Sequence, residues 1–291
     1  MEKEFTRDSL YLQRKRERFL KIGIYTFLIL TSLPILLGYI WLFTSSFAET
    51  LSYGIIPKSF TLKNWRFLSG ESVADLPNVW LAFLNTLILA LGVTTIVVGV
   101  STPAGYAISR LKFKGRSSIL AFTLILHAFP GITLLIGLYY ILRSLHLLNS
   151  VAGVILARSG LFIPFGIWVM KGFFDGIPWD LEMSALVDGA TRFQAWYKIM
   201  LPMVKPGIAA ISIFAFITGW SEFIFVITFI LNKMKWTLSG YINAIIGEYR
   251  FVDYGLMVAA SVFYMIPVLV FFLFTQKYLM QVTIGGVKGG R

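Results

Sequence analysis

Residues 76–109 read LPNVWLAFLNTLILALGVTTIVVGVSTPAGYAIS, a stretch that contains no Asp, Glu, Lys or Arg. About 20 consecutive apolar residues cross the hydrocarbon core of a bilayer, and a charge at its centre costs about 3 kcal/mol or more. The stretch therefore predicts a transmembrane helix.

Five further stretches have the same character. Three carry no charge, and the other two carry one charge each, Arg158 in the fourth span and Glu222 in the fifth. The six predicted spans are residues 22–48, 76–109, 117–142, 144–170, 206–232 and 254–276. They are long and uniformly apolar, whereas strands of a transmembrane barrel alternate in polarity over roughly 10 residues. The sequence therefore predicts an all-α membrane protein with six transmembrane helices.

Composition and charge agree with this fold. The chain is 57% hydrophobic and 14% charged, which is too apolar for a soluble globular domain. Of the 26 Lys and Arg residues, 18 lie before Ile22, in 109–117, in 171–205 or after Gln276, so both termini are predicted in the cytoplasm. The net charge of +12 then reflects topology and attraction to lipid headgroups. The basic residues are dispersed over several loops, so no nucleic acid partner is expected.

The predicted organisation is a cytoplasmic segment of residues 1–21, a permease-like membrane domain of residues 22–282 and a cytoplasmic tail of residues 283–291. A signal peptide is not expected to be removed, because the first apolar run is too long for a signal sequence. A cytoplasmic loop, residues 171–205, separates the fourth and fifth spans. The localisation expected is a multi-pass protein of the cell membrane.

Several chemistries are excluded by residues that the chain lacks. It has no cysteine and only two histidines, which excludes disulfides, thiolate metal sites and a multi-histidine metal site. No Gly-Lys dipeptide occurs, so the phosphate-binding P-loop is absent. No cofactor or metal is expected on this chain, and any ATP hydrolysis must take place on another one.

The loop between the fourth and fifth spans has the signals of two short helices. Pro178 can begin a helix over residues 179–188, and Gly189 ends it because glycine tolerates the left-handed conformation. Thr191 can cap a second helix that runs to Ile199 or Met200, before Pro202 breaks the pattern. The loop is therefore predicted to form a two-helix hairpin.

This hairpin is too apolar for a solvated loop and too short and charged to span the bilayer. Its apolar residues are Leu181, Met183, Leu186, Val187, Phe193, Trp196, Tyr197 and Ile199. Two interpretations are equally consistent with the residues alone: the hairpin lies on the lipid headgroups, or it docks into a partner protein.

The spacing within the loop resembles the cytoplasmic loop of ABC importer permeases. The family pattern is Glu-Ala-Ala, three residues, Gly, nine residues, Ile, one residue, Leu-Pro. In register with it are Ala185, Gly189, Ile199, Leu201 and Pro202, while the sequence Leu-Val-Asp-Gly-Ala at 186–190, which contains Asp188 and Ala190, is typical of the carbohydrate subfamily. Residues 104–116 (AGYAISRLKFKGR), 219–223 (GWSEF) and 285–289 (GGVKG) resemble the same subfamily, in particular its maltose-type second permease.

One position departs from the family pattern. The motif glutamate falls at Met183 and its first alanine at Ser184, while Glu182 stands one position earlier. A rotation of about 100° per residue places Glu182 on a different part of the helix, so it does not simply replace the motif residue.

The resemblance implies a role and a set of partners. The chain would be one permease subunit of a heterodimer, with a second permease subunit, two ATP-binding cassette subunits that hold ATP and Mg, and an extracellular substrate-binding protein. The hairpin, through Glu182, Met183, Ser184, Ala185, Asp188, Gly189, Ala190, Ile199, Leu201 and Pro202, would couple ATP hydrolysis to transport of a sugar. Gly285, Gly286, Val287, Lys288 and Gly289 would form a second coupling contact in a tail that is not helical.

The charges inside the spans are candidates for the substrate path. Counted at 1.5 Å per residue, Arg158 and Glu222 lie at similar depths of about 10 Å and 9 Å from the outer surface. We expect them to pair or to face one water-filled cavity, to which Asn85 could contribute. The alternative is that Arg158 extends to the surface while Glu222 hydrogen-bonds within the bundle or across the permease interface.

Two other classes of function compete with the importer. An ion-coupled secondary transporter would be expected to show an internal repeat or paired broken helices, and neither is evident in the sequence. A membrane-embedded enzyme would need a catalytic constellation such as Ser-His-Asp or paired acids, and none is found.

Overall fold

The computed structural model describes residues 2–52, 56–70, 78–248 and 253–286, which are mostly helical. The α-helices are α1 (Glu2–Ser46), α2 (Val79–Arg110), α3 (Arg116–Ala128), α4 (Leu135–Ser144), α5 (Val151–Asp175), α6 (Trp179–Val187), α7 (Arg192–Ala195), α8 (Leu201–Met203), α9 (Lys205–Trp220), α10 (Ile224–Phe229), α11 (Leu238–Glu248) and α12 (Tyr254–Gly286). Shorter helical turns cover Lys63–Ser69, Gly131–Leu134, Trp196–Met200 and Lys233–Lys235.

In the described part of the chain, four helices are long and apolar enough to cross a membrane, and the number rises to six if each of two bent helix pairs is one span. The four are Arg16–Ser46, Val79–Arg110, Val151–Asp175 and Tyr254–Lys277. The bent pairs are Arg116–Leu126 with Gly131–Ser144, at 96°, and Arg192–Met203 with Lys205–Trp220, at 72°.

The third and fifth predicted spans are therefore not single straight helices. In the third, a proline disfavours helical backbone at the residue before it, and Phe129 before Pro130 is extended, with φ −77° and ψ 128°. In the fifth, α9 stops at Trp220 and α10 begins at Ile224. Glu222 lies in the gap, where its side chain accepts a hydrogen bond from the Phe225 amide at 2.9 Å and so supports a new helix start.

The prediction of a purely α-helical protein is also wrong in one segment. Strands β1 (Ala48–Ser52) and β2 (Ile56–Phe60) pair antiparallel, with Ala48 opposite Phe60 and Ser52 opposite Ile56. Because a two-stranded sheet consists only of edges, Pro57 can pair with Leu51 without interrupting a central ladder.

Residue contacts divide the chain into two compact units. The first contains residues 1–65 and 254–262. Within it, the Asn64 amide donates hydrogen bonds to the carbonyls of Ser46 at 3.1 Å and Ala48 at 2.8 Å, which fixes the end of α1 to β1.

The second unit contains residues 66–253 and 263–291, and its centre is the packing of α2 against α5 and α9. A Cβ atom added at Gly105 of α2 would lie 2.7 Å from Met170 Cβ of α5. One added at Gly219 of α9 would lie 2.7 Å from Ala90 Cα of α2. Small residues allow this approach of helix backbones, which is how apolar helices pack in a membrane.

Candidate functional site

The first arm of the loop hairpin is α6, and its ends follow the sequence signals. Asp180 and Glu182 lie in its first turn, where the helix dipole favours acids. Gly189 has φ +89°, and the Ala190 amide donates to the Ala185 carbonyl at 3.0 Å, which closes the helix end. The predicted left-handed turn at Gly189 is confirmed.

The second arm begins at a capping box. The Gln194 amide donates to Thr191 Oγ1 at 3.2 Å, and the Thr191 amide donates to Gln194 Oε1 at 2.8 Å. The arm continues through a π-helical turn, Trp196–Met200, and through α8, so the predicted break at Pro202 is wrong. We attribute its continuation to the wider π turn, which accommodates the proline ring, and the chain bends instead at Val204.

Glu182 faces the transmembrane helices instead of the hairpin's exposed surface. Its side chain is fully buried, and Tyr106 Oη of α2 donates to Glu182 Oε1 at 2.7 Å. Arg110 Nε lies 3.6 Å from Glu182 Oε2. Among the described residues neither of these two atoms has a hydrogen-bond partner, so the pair is held by charge. Glu182 was predicted as a coupling residue, and the structure buries it against α2, away from the exposed surface of the hairpin.

Arg110 joins three segments of the chain at the last turn of α2. Its Nη2 donates to the carbonyls of Phe174 at 2.7 Å and Ile177 at 2.5 Å, which lie at the end of α5 and in the turn that follows it. Its guanidinium lies 4.7 Å from the centre of the Trp179 ring at the start of α6. One buried arginine therefore fixes α2, the end of α5 and the hairpin together.

The opposite surface of the hairpin is apolar and uncovered in the isolated chain. Val187 is 86% exposed, Phe193 70% and Tyr197 59%. Of the other predicted coupling residues, Met183, Ser184, Asp188, Gly189 and Pro202 are exposed, Ala190, Ile199 and Leu201 are half-buried, and Ala185 is buried. Val187, Phe193 and Tyr197 are among the apolar residues from which a cover over this hairpin is predicted.

The two charges predicted inside the spans form an ion pair. Arg158 Nε of α5 lies 2.9 Å from Glu222 Oε2 in the break between α9 and α10. The arginine side chain is 30% exposed and the glutamate 6%. The Glu222 carbonyl also accepts a hydrogen bond from Ser239 Oγ at 2.6 Å, which ties the break to the start of α11.

Asn85 fixes the chain backbone. Its amide donates to the carbonyls of Met234 and Trp236, both at 3.1 Å. The neighbouring Thr86 Oγ1 accepts from the Leu238 amide at 2.7 Å. Asn85 and Thr86 thus hold residues 234–238 against the N-terminal part of α2, and the contribution of Asn85 to a cavity stays a prediction.

The predicted C-terminal contact is only partly described. Helix α12 continues to Gly286, so the expectation that residues 285–291 are not helical is wrong for Gly285 and Gly286. The helix carries the two glycines at its end, where the cost of glycine is smaller than in the interior. Val287, Lys288 and Gly289 lie outside the described residues.

Sequence reasoning missed Tyr106 and Arg110, which hold Glu182. A signal was available: Arg110 is the first charge after the long apolar stretch of α2, and it lies inside the segment that resembles the permease family. Pairing it with Glu182 requires the fold, since the two are far apart in sequence. No cluster of three His, Asp or Glu side chains suited to a metal ion occurs within the described residues.

Comparisons with known proteins agree on one kind of protein. The family model described as a binding-protein-dependent transport system inner membrane component matches residues 96–284. The chain is 34% identical over 234 residues to the sulfoquinovosyl glycerol transport system permease protein of Agrobacterium fabrum, covering 80% of each chain. It is 32% identical over 260 residues to the trehalose transport system permease protein of Mycobacterium tuberculosis, covering 87% of this chain and 93% of the other. It shares its fold with a chain of a bacterial ABC transporter that imports the acidic polysaccharide alginate, with a TM-score of 0.74 at 21% identity over 90% of this chain and 96% of that one.

Proposed function

Because the chain belongs to the family of binding-protein-dependent transport system inner membrane components, we propose that it forms half of the membrane path of an ABC importer for a sugar or oligosaccharide. In this proposal it pairs with a second permease subunit. An extracellular substrate-binding protein delivers the sugar, and two ATP-binding cassette subunits hold ATP and Mg.

The observation that carries the coupling role is the two-sided build of the hairpin. One side is anchored by the buried Glu182, and the other presents Val187, Phe193 and Tyr197 to the surroundings. A hairpin that lay on lipid headgroups would be held there by its apolar side chains and would not need a buried ion pair to fix it to α2. An apolar helical face presented on a fixed support is suited to a groove in a partner protein.

The topology follows from the same assignment. In this proposal the six spans are those predicted from the sequence, with Lys205–Trp220 and Ile224–Phe229 forming the fifth. The excess of Lys and Arg in the inner segments then favours a cytoplasmic position for the hairpin and for both termini. The hairpin then lies on the side where ATP is available. The tail at Gly285, Gly286, Val287, Lys288 and Gly289 is proposed as a second contact with the ATPase subunits.

A sugar is the proposed substrate class because the two curated relatives above are named as permease proteins of transport systems for sulfoquinovosyl glycerol and for trehalose. Within this chain, we propose that the partly exposed guanidinium of Arg158 lines the substrate path and can donate hydrogen bonds to the sugar. Its partner Glu222 holds it in place at 2.9 Å.

Reconstitution in lipid vesicles tests the proposal. Uptake of a labelled disaccharide such as trehalose should require ATP, the ATPase subunits and the binding protein, and should survive collapse of the ion gradients. Uptake that needs an ion gradient and proceeds without the ATPase would establish the secondary transporter instead.

The docking surface is tested by Gly189→Val, because a side chain at φ +89° strains the turn whatever space surrounds it. The ATPase should co-purify with this variant about five- to thirtyfold less than with the wild type, as expected from strain of about 1–2 kcal/mol. Gly172→Val is the matched control, since a Cβ there also meets open space, at an ordinary backbone conformation. Equal co-purification of the two variants would exclude the hairpin as the docking element.

A further inference from the structure

We infer that Tyr106, Arg110 and Glu182 are positioning residues that make the hairpin and α2 move as one body, so that α2 carries the hairpin's movement across the membrane. This inference rests on the proposed function, because it assigns the route by which docking on an ATPase reaches the substrate path.

Both arms of the hairpin are held by the same turn of α2. The first arm is held through Glu182, which receives the Tyr106 hydroxyl at 2.7 Å and faces Arg110 at 3.6 Å. The second arm is held through Trp196, whose ring centre lies 6.3 Å from that of Tyr106. Since Tyr106 touches both arms, the hairpin cannot rotate on α2 without breaking a buried contact.

Because this junction is buried, its contacts resist separation. Arg110 is 2% exposed and Glu182 fully buried, so water cannot replace the contacts they make. A charge left in such a site without its partner is strongly unfavourable, so a movement that separated the pair would be opposed. Ser109 Oγ adds a hydrogen bond to Asp175 at 2.6 Å, and Asp175 also pairs with Lys171, which fixes α2 to the end of α5.

The covalent connections of the hairpin are poorer routes for movement. The second arm reaches α9 through a bend of 72° at Val204, and the first arm follows α5 after the turn at Gly176–Pro178. Helix α2, in contrast, is continuous from Val79 to Arg110, a length of about 48 Å at 1.5 Å per residue. Its other end holds the backbone at Met234 and Trp236 through Asn85. A stiff helix fixed at both ends can transmit a rigid-body displacement.

The first test measures whether the hairpin moves relative to α2. The chain has no cysteine, so Lys112→Cys, just beyond α2, and Lys198→Cys, on the second arm, introduce two exposed labelling sites that are the only cysteines of this chain, and the partner subunits are used in cysteine-free form. In the reconstituted transporter, with uptake retained, the distance between the labels should be the same without nucleotide and with trapped ATP. A distance that changes with nucleotide would overturn the inference.

The second test loosens the junction while leaving its packing in place. Tyr106→Phe removes the hydroxyl that binds Glu182 and keeps the ring, and Tyr140→Phe is the control, at a tyrosine of α4 that is 63% exposed. With Tyr106→Phe we expect ATPase co-purification and ATP hydrolysis near wild-type values, with uptake per ATP lowered by about fivefold or more. In the spin-labelled chain the distance distribution should broaden.

The outcomes separate this inference from the proposed function. If hydrolysis and uptake fall together, or if uptake per ATP is unchanged, Tyr106 has no positioning role and the inference fails. If the wild-type chain itself neither binds the ATPase nor takes up sugar with ATP, the proposed function fails.

Discussion

Two arginine–glutamate pairs are used differently in this molecule. Arg110 and Glu182 are completely buried at the C-terminal end of α2, and their closest charged atoms lie 3.6 Å apart. Arg158 and Glu222 are closer, at 2.9 Å, yet the arginine side chain of this pair is 30% exposed. The shorter distance belongs to the pair whose arginine side chain is partly exposed, although its Nε atom is itself buried.

The difference shows that exposure, more than distance, indicates what such a pair does. A buried pair is costly to break because the remaining charge has no water around it. A partly exposed pair is cheaper to open, since water or a polar ligand can replace either partner. The pair at Arg110 is therefore suited to hold parts together, and the pair at Arg158 to meet a substrate.

The largest expected effect comes from removing one side of the buried pair. Arg110→Met should destabilise the protein by about 3–5 kcal/mol, because Glu182 is left buried and unpaired and the Phe174 and Ile177 carbonyls lose their donor. The loss should appear as a lower thermal unfolding temperature in detergent and as poor yield of folded protein.

A double variant sharpens this result. Arg110→Met with Glu182→Met removes both charges and should recover more than half of the lost stability, since apolar side chains of similar size can replace a buried ion pair. If the single variant unfolds at the wild-type temperature, the Arg110–Glu182 pair does not stabilise the contact between α2 and the hairpin.

An intermediate effect is expected at the partly exposed pair, where Glu222 both pairs with Arg158 and accepts a hydrogen bond from the Phe225 amide. Glu222→Gln loses the charge that holds Arg158, but its amide oxygen can still accept from the Phe225 amide, so we expect about 1.5 kcal/mol of lost stability. Glu222→Ala also loses the helix start and should cost about 2–3 kcal/mol. Unfolding temperatures of the two variants measure the difference.

Measurements of sugar uptake separate a role of the Arg158–Glu222 pair in transport from its contribution to protein stability. Both Glu222 variants should reduce sugar uptake more than Arg158→Lys, which keeps a positive charge in the path. Equal uptake in Glu222→Gln and the wild type would show that the pair has no part in the substrate path.

Much of this arrangement follows from local sequence signals, and the rest does not. The left-handed Gly189 and the cap at Thr191 depend on residues within one turn, so the sequence predicts them correctly. The proximity of Arg158 and Glu222 was predictable because depth in a membrane can be counted along each span. The pairing of Arg110 with Glu182 was not, since it depends on how α2 packs against α5.

The breaks in the third and fifth spans show another limit. The sequence has Pro130 in the third span, and several other prolines lie inside helices that continue through them, such as Pro103 in α2 and Pro164 in α5. Whether a proline or a charge ends a helix depends on what satisfies the freed backbone groups, as Glu222 does for Phe225. Hydropathy alone contains no such information.

The smallest expected effect is at Asn85, and it tests whether the far end of α2 is held as the inference requires. Asn85→Ala removes two hydrogen bonds to the half-exposed segment at Met234 and Trp236, where water can partly replace them, so the loss should be about 1 kcal/mol. Lys233 and Lys235 make this segment a target for trypsin, and local opening by that amount should speed cleavage there about fivefold.

Asn64→Ala is the matched control, because Asn64 likewise donates to two backbone carbonyls, in the other unit of the chain. Faster cleavage at Lys233 and Lys235 in both variants would indicate a general loosening of the chain. A change confined to Asn85→Ala means that neutral hydrogen bonds hold this end of α2, whereas charged groups hold the other end at Arg110.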